Sequence, residues 1–285
     1  MLAMTSCSKA EGSSAPVDKG PLHLATLSEK NVKGNSSVKI DLSQSSKGYI
    51  GVKYLGNCHK VKLQMQSEGQ TYTYDIDKMD KFMIFPFSCG NGTYSVEVYE
   101  NVAGNQYAMV YACSVKVQLE DENLPFLYPN TYVYYSDKSD SVVSLADKVT
   151  SGDKTQLDIV SDVYNYVIKH IDFDYSLAAS VSTGYVPDLD NVINSGKGIC
   201  FDYASLMTAM LRISNIPTKL VVGYRGSDYH AWISVYVSDI GWVDNVIEFD
   251  GTDWTLMDPA TVSSGGAGAA DYTKNKDSYH ALYFY

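Results

Sequence analysis

The chain has 285 residues, 45% of them hydrophobic, and a formal net charge of -11 from 22 Lys+Arg against 33 Asp+Glu. That length can bury a sizeable core as one large or two modest domains. An acidic surface with no basic block repels phosphate backbones and argues against nucleic acid as a partner; no apolar run approaches the ~18 residues that span a bilayer.

The chain opens MLAMTSCSKAEGSSAPVDKG. Cys7 follows Met4-Thr5-Ser6, with small residues at the two positions before it, and a Ser/Lys/Gly/Pro-rich run comes next. This start resembles the lipobox of bacterial lipoproteins, in which Cys7 is lipidated and residues 1–20 form the start and a flexible tether. The apolar stretch ahead of Cys7 is shorter than the roughly 7–15 residues of a signal-peptide core. The resemblance implies export, as a cell-surface lipoprotein or a secreted protein, with a lipid on Cys7 as its one contact with the membrane. The competing reading is an ordinary cysteine in a disordered N-terminus. The other cysteines are Cys58, Cys89, Cys113 and Cys200, and none of the five shows a Cys-x-x-Cys or Cys/His zinc spacing. Cys58, Cys89 and Cys113 share one region, where at most one bridge forms without leaving a neighbour unpaired. Their pairing stays open.

From 21 to 122 the sequence runs in short segments of period near two: SVKIDLS, GYIGVKYL, HKVKLQMQ, QTYTYDI, KFMIFPF, GTYSVEVYE and YAMVYACSVKVQL. They are rich in Val, Ile and Tyr, which suit pleated, half-buried surfaces. Turn residues at Gly34-Asn35, Gly56-Asn57, Glu68-Gly69 and Gly90-Asn91-Gly92 separate them. Seven strands at this spacing predict an Ig-like β-sandwich, and Tyr94, just after a turn, is where a tyrosine corner would fall. No chemistry is legible here; His59 beside Cys58 reads as incidental.

Residues 123–136, aromatic and punctuated by proline, read as a linker to a second domain over 137–285. There the period changes. Leu157, Val160, Tyr164, Val167 and Ile171 recur at three- and four-residue steps, an amphipathic helix with Asp153 placed to cap it. The run TVSSGGAGAA near the end is flexible by composition.

The stretch NSGKGICFDYASLMTAMLRISNIP carries the chemistry. Tyr203, Leu206, Met207, Met210 and Leu211 form one apolar face, so a helix starts near Cys200 and ends before Pro217. Cys200 then lies in the first turn, where unpaired N–H groups and the helix dipole favour a thiolate. Downstream, YHAWISVYV alternates as a strand. His230 and Trp232 share a face with Ser234 and Tyr236, while Ala231, Ile233, Val235 and Val237 take the other. The apolar set faces the core, so the helix carrying Cys200 is expected to meet the His230 face. If WTLMDPA returns antiparallel against this strand with Ser234 opposite Trp254, Asp258 falls opposite His230. Taken singly, a cysteine near a helix start is more often packing than a nucleophile, a strand histidine more often structural, and an Asp before Pro more often a turn cap. His170 and His280 lack such surroundings, and Asp202 reads as support for the first helical turn.

GKGICFDYASLMTAMLRISNIPTKLVVGY, followed by YHAW and WTLMDPA, resembles the transglutaminase-like superfamily of bacterial cysteine peptidases and transglutaminases. The family's Gly-x-Cys, valine-rich strand ending in GY, HAW and DPT motifs match in order, with Asn215 where Gly is common and Ala260 where Thr is common. The resemblance implies an α+β fold, a papain-like core of helices packed on an antiparallel sheet behind the sandwich. It implies Cys200 as nucleophile, His230 as general base and acid, and Asp258 orienting His230, with no metal or organic cofactor. The Cys200 N–H is the natural first oxyanion donor; Trp232 and Asn194 are candidate side-chain donors. The function so implied is thiol-dependent acyl transfer, as a peptidase or amidase acting on peptide or isopeptide bonds, with a peptide or protein substrate, cell-envelope peptide among the candidates. The alternatives are a protein-crosslinking transglutaminase and a non-catalytic envelope binding or scaffold module.

Overall fold

The computed structural model describes residues 19–77, 80–138, 140–152, 155–238, 240–249, 254–256 and 279–285. Cys7, Asp153, Asp258 and Ala260, with the TVSSGGAGAA run, lie outside the described residues. The first region is a sandwich of two antiparallel four-stranded sheets. One holds β1 (Val32–Gly34), β2 (Val38–Asp41), β3 (Tyr49–Tyr54) and β6 (Met83–Pro86), in the order β1-β2-β3-β6. The other holds β4 (Val61–Ser67), β5 (Gln70–Ile76), β7 (Gly92–Ala103) and β8 (Gln106–Val117), in the order β5-β4-β7-β8. All seven segments read from the sequence are strands; β1 is additional, an exposed edge whose three residues carry no apolar alternation.

The alternation works as expected. Val61, Leu63 and Met65 of β4 and Val96 and Val98 of β7 are buried in one core with Val38, Ile40, Val52 and Phe85 of the facing sheet. The β4–β5 hairpin turns on Glu68 (φ 51°) and Gly69 (φ 81°), with Ser67 opposite Gln70. Both turn residues take the left-handed backbone that suits the twist of a two-residue hairpin. The Tyr94 hydroxyl donates to the Gly90 carbonyl at 2.9 Å, the tyrosine corner. Cys58, Cys89, Cys113 and Cys200 are all free thiols.

The second region has the predicted change of period. Helices α1 (Ser141–Val149), α2 (Gln156–His170), α3 (Tyr175–Ser180), α4 (Leu189–Ser195) and α5 (Cys200–Ile213) precede a five-stranded antiparallel sheet. Its strands are β11 (Thr218–Arg225), β12 (Asp228–Val237), β13 (Gly241–Phe249), β14 (Trp254–Leu256) and β15 (Tyr279–Phe284), in the order β14-β13-β12-β11-β15. A short parallel pair, β9 (Asp172–Phe173) and β10 (Lys197–Gly198), ties the chain after α2 to the chain before α5. The cap of α2 is Thr155: its hydroxyl accepts from the Asp158 N–H while Asp158 accepts from the Thr155 N–H, a capping box.

Helix α5 is the core of this region. Beyond the expected apolar face it also buries Asp202, Ser205, Thr208 and Arg212, because α1, α2 and α4 cover one side and the sheet covers the other. It ends where Asn215 turns left-handed (φ 61°), with the Ile216 N–H reaching back to the Leu211 carbonyl at 3.0 Å. A left-handed residue is the reason glycine, or here asparagine, suits that position.

The two regions are joined along their length. Phe126, Leu127, Tyr128, Val133 and Tyr135 of the connecting segment are buried. Fully buried Arg212 donates to the main-chain oxygens of Thr218, Tyr128 and Tyr285 at 2.6–2.9 Å, holding the end of α5, the connection and the last strand together. Two edge strands also meet: Gln70 of β5 donates to the Leu282 carbonyl at 2.7 Å, and the Phe284 N–H to the Tyr72 hydroxyl at 3.4 Å.

Candidate active site

The start of α5 is built without a capping oxygen, since its N-cap is Ile199. Asp202, in the first turn, takes over. Its carboxylate accepts from the Ile199 N–H at 2.8 Å and from the Tyr185 hydroxyl at 2.8 Å, and the residue is fully buried. Burial pushes this carboxyl up from its ordinary range; the two donors oppose the shift, and Asp174 and Asp188 add to it. Gly198 allows the approach, because a Cβ there would stand 2.7 Å from the Cβ of Asp202. Asp202 therefore supports the turn that presents Cys200, the role expected of it.

Cys200 opens the helix, and the backbone N–H groups of Ala231, Phe201 and Cys200 itself are directed at its sulfur. The Ala231 N–H ties the sulfur to β12, one residue past His230. It can do so because the described β12–β13 pairing runs only from Val237↔Gly241 to Ile233↔Ile247, two residues short of Ala231. The three donors favour a thiolate, as a helix start should, yet the thiol is displaced upward from its ordinary value. Burial is the larger effect, and the Asp202 carboxylate adds to it. Position in the first turn is thus not enough to set the charge state of this sulfur.

Strand β12 keeps the expected alternation but not the expected neighbours. Ala231, Ile233, Val235 and Val237 share their core with α5, so the helix packs on the apolar face of the sheet rather than on the His230 face. The Cys200 end of the helix is what reaches β12. His230 is half-buried, with its Nε2 atom enclosed, and its ring lies 6.3 Å from that of buried Trp232 at 24°. Trp232 in turn meets the edge of Tyr279 at 5.2 Å. Asn194 stands exposed in the last turn of α4.

The assumed register of the return strand is corrected. Segment 241–249, which that register leaves as a connection, is β13, and it separates β12 from β14: Ile233 opposes Ile247, and Ile247 opposes Leu256. The Ile240 N–H donates back to the Val237 carbonyl at 2.9 Å directly after β12, so the next strand in sequence takes the neighbouring place. Trp254 and Leu256 therefore do not oppose Ser234 and Trp232.

Among the described residues, no group of three His, Cys, Asp or Glu side chains is arranged to hold a metal ion, and no helix is long and apolar enough to cross a membrane. His170 bonds the Tyr166 carbonyl at 2.8 Å, a helix-end contact.

With this geometry in place, residues 143–245 match the family model of the transglutaminase-like superfamily. That segment is a transglutaminase-like core. The match contains Cys200, His230, Trp232 and Asn194, and ends before Asp258. Comparison with curated proteins yields no match. Among solved structures, a candidate cysteine protease from Cytophaga hutchinsonii shares 16% identity over 83% of each chain, with a TM-score of 0.40. A candidate protease from Parabacteroides distasonis shares 16% identity over 55% of this chain and 37% of its own, with a TM-score of 0.32. Red sea bream transglutaminase shares 13% identity, with 81% of this chain and 49% of its own covered and a TM-score of 0.29. At the family level, the transglutaminase-like core supports thiol acyl-transfer or protease-type chemistry.

Three contributors to the surroundings of Cys200 were not read from the sequence. The Ala231 N–H depends on where the sulfur docks, which no local pattern encodes. Tyr185, hydrogen-bonded to Asp202, sits in an irregular stretch. Tyr229 offered a signal: it is an aromatic residue at a core-facing position of β12, yet lies at the strand's exposed end.

Proposed function

We propose that the protein is an exported thiol-dependent acyl-transfer enzyme, acting as a peptidase or amidase on peptide or isopeptide bonds. The observation that carries this reading is the cradle of Cys200: a sulfur in the first turn of the central helix, surrounded by three main-chain N–H groups, one of them next to His230 in the chain. The Cys200 thiol passes its proton to His230 as the sulfur attacks the carbonyl carbon, and the N–H cradle is available to the developing oxyanion. Collapse of the tetrahedral intermediate breaks the C–N bond, the amine leaves with the proton from His230, and a thioester remains on Cys200. Water, deprotonated by His230, then releases the acid and restores the thiol. Asp258 is assigned to orient the His230 ring, Trp232 and Asn194 remain candidate oxyanion donors, and no cofactor takes part. A lipid on Cys7 would hold the enzyme at the cell surface, close to envelope peptides. The residues divide as 1–20 tether, 21–122 sandwich, 123–136 connection and 137–285 catalytic region.

The raised thiol favours a resting neutral Cys200 that is deprotonated during attack rather than a standing thiolate. The test is the second-order rate of Cys200 alkylation by iodoacetamide against pH, in the intact protein and in His230→Ala, with Cys200→Ala as blank. At neutral pH, labelling at least tenfold slower in His230→Ala than in the intact protein is expected, because His230 takes the proton as the sulfur attacks. A rate that rises only in step with free-thiol ionisation, the same with and without His230, would sink the reading.

A further inference from the structure

Two groups of aromatic side chains lie around Cys200, one exposed and one buried. Tyr229 and Ala231 project from the same face of β12, two residues or ~7 Å apart along the strand, and the Ala231 N–H is directed at the Cys200 sulfur. Tyr229 is therefore the next side chain outward from the sulfur on the side where α5 packs. It is 61% exposed, and its cross-strand partner Tyr224 is 40% exposed. The two rings meet edge to face at 5.5 Å. Deeper in, Tyr132 lies 5.4 Å from Phe201, the residue after the nucleophile, and 4.7 Å from Tyr285. Packing alone does not explain two large rings standing exposed near the nucleophile.

The neighbours that act on Tyr229 are Tyr283, Tyr224 and the Cys200 thiol. A flat apolar side chain would stack on the exposed rings. We infer that Tyr229, with Tyr224, forms a substrate subsite that accepts an aromatic side chain next to the carbonyl attacked by Cys200. The inference rests on the acyl-transfer reading and adds a substrate class to it: peptides with a large planar apolar residue at the scissile position.

The test compares two chloromethyl ketones, derived from N-acetyl-phenylalanine and N-acetyl-glycine, in which the Cys200 sulfur displaces chloride to form a thioether read by intact mass. The ratio of the two inactivation rates isolates the side-chain preference from thiol reactivity. In the wild type the phenylalanine reagent reacts about tenfold faster, the low end of what one pocket discriminates. The ratio falls toward one in Tyr229→Ala, survives in Tyr229→Phe, and drops part of the way in Tyr224→Ala. A wild-type ratio near one, or one unchanged in Tyr229→Ala, overturns the subsite and leaves the nucleophile intact. If neither reagent labels Cys200 faster than a free thiol, nucleophile and subsite fall together.

Discussion

Asp202 couples the stability of this fold to the reactivity of its cysteine, and replacing it with asparagine should move the two in opposite directions. The carboxylate accepts from the Ile199 N–H and the Tyr185 hydroxyl, each at 2.8 Å. Hydrogen bonds to a charged group contribute about 1.5–3 kcal/mol each. An amide oxygen can replace only one of these acceptors, and its NH2 then faces the other donor. Relief from burying a charge offsets part of the loss, leaving a net destabilisation of about 2 kcal/mol. For a chain of this size that lowers Tm by roughly 4–8 °C. The same substitution removes the negative charge that holds the Cys200 thiol up, so the thiol moves down and iodoacetamide labelling at fixed pH accelerates. The sign of the pH dependence follows from the raised carboxyl. Between the ordinary carboxylate value of 3.8 and the higher folded one, the unfolded chain binds fewer protons than the folded chain. This group's contribution to stability therefore falls as pH rises through that window, and Asp202→Asn abolishes that component. Calorimetry at several acidic pH values and at neutrality, with labelling rates by intact mass, measures all three effects. Tyr185→Phe separates them, because it removes one bond and keeps the charge: Tm drops and labelling gains nothing. An Asp202→Asn protein with unchanged Tm and slower labelling would refute the reasoning.

Two further variants probe the frame. Arg212→Met removes the guanidinium donors to the Thr218, Tyr128 and Tyr285 oxygens, leaving Tyr285 the Leu220 N–H at 3.0 Å. It also removes a buried guanidinium whose pKa burial has pushed down to about 10. The lost hydrogen bonds outweigh the relieved charge, and a loss of about 3 kcal/mol is expected from the urea midpoint; an unchanged midpoint at unchanged slope would contradict the clamp. Tyr94→Phe deletes the hydroxyl with its bonds to the Gly90 carbonyl and to Cys89 and should cost about 1–2 kcal/mol, read as a lower Tm with the labelling rate of Cys200 unaltered.

Much of the site was legible because its elements are local. The start of α5 at Cys200 and its end before Pro217 follow from an apolar period and a proline, and His230 and Trp232 do share a face of β12 as the alternation requires. The face on which α5 packs was misjudged, since alternation says which residues are buried and not which element buries them. The return strand lies one place farther out for a related reason: 241–249 runs back beside β12 as β13, a pairing that alternation does not specify.

The amino-acid sequence by itself determined the seven sandwich strands, the tyrosine corner, the amphipathic helices and the position of Cys200 at a helix start. Each depends on residues within a few positions of one another, through backbone preference and hydrophobic period. Only the tertiary structure decided that an N–H from Ala231 meets the sulfur, that Asp202 and Tyr185 buttress the turn beneath it, and that burial raises the thiol. Desolvation is a property of whatever packs around a group, and here those neighbours come from β12, α5 and the stretch before α4, segments brought together only by folding.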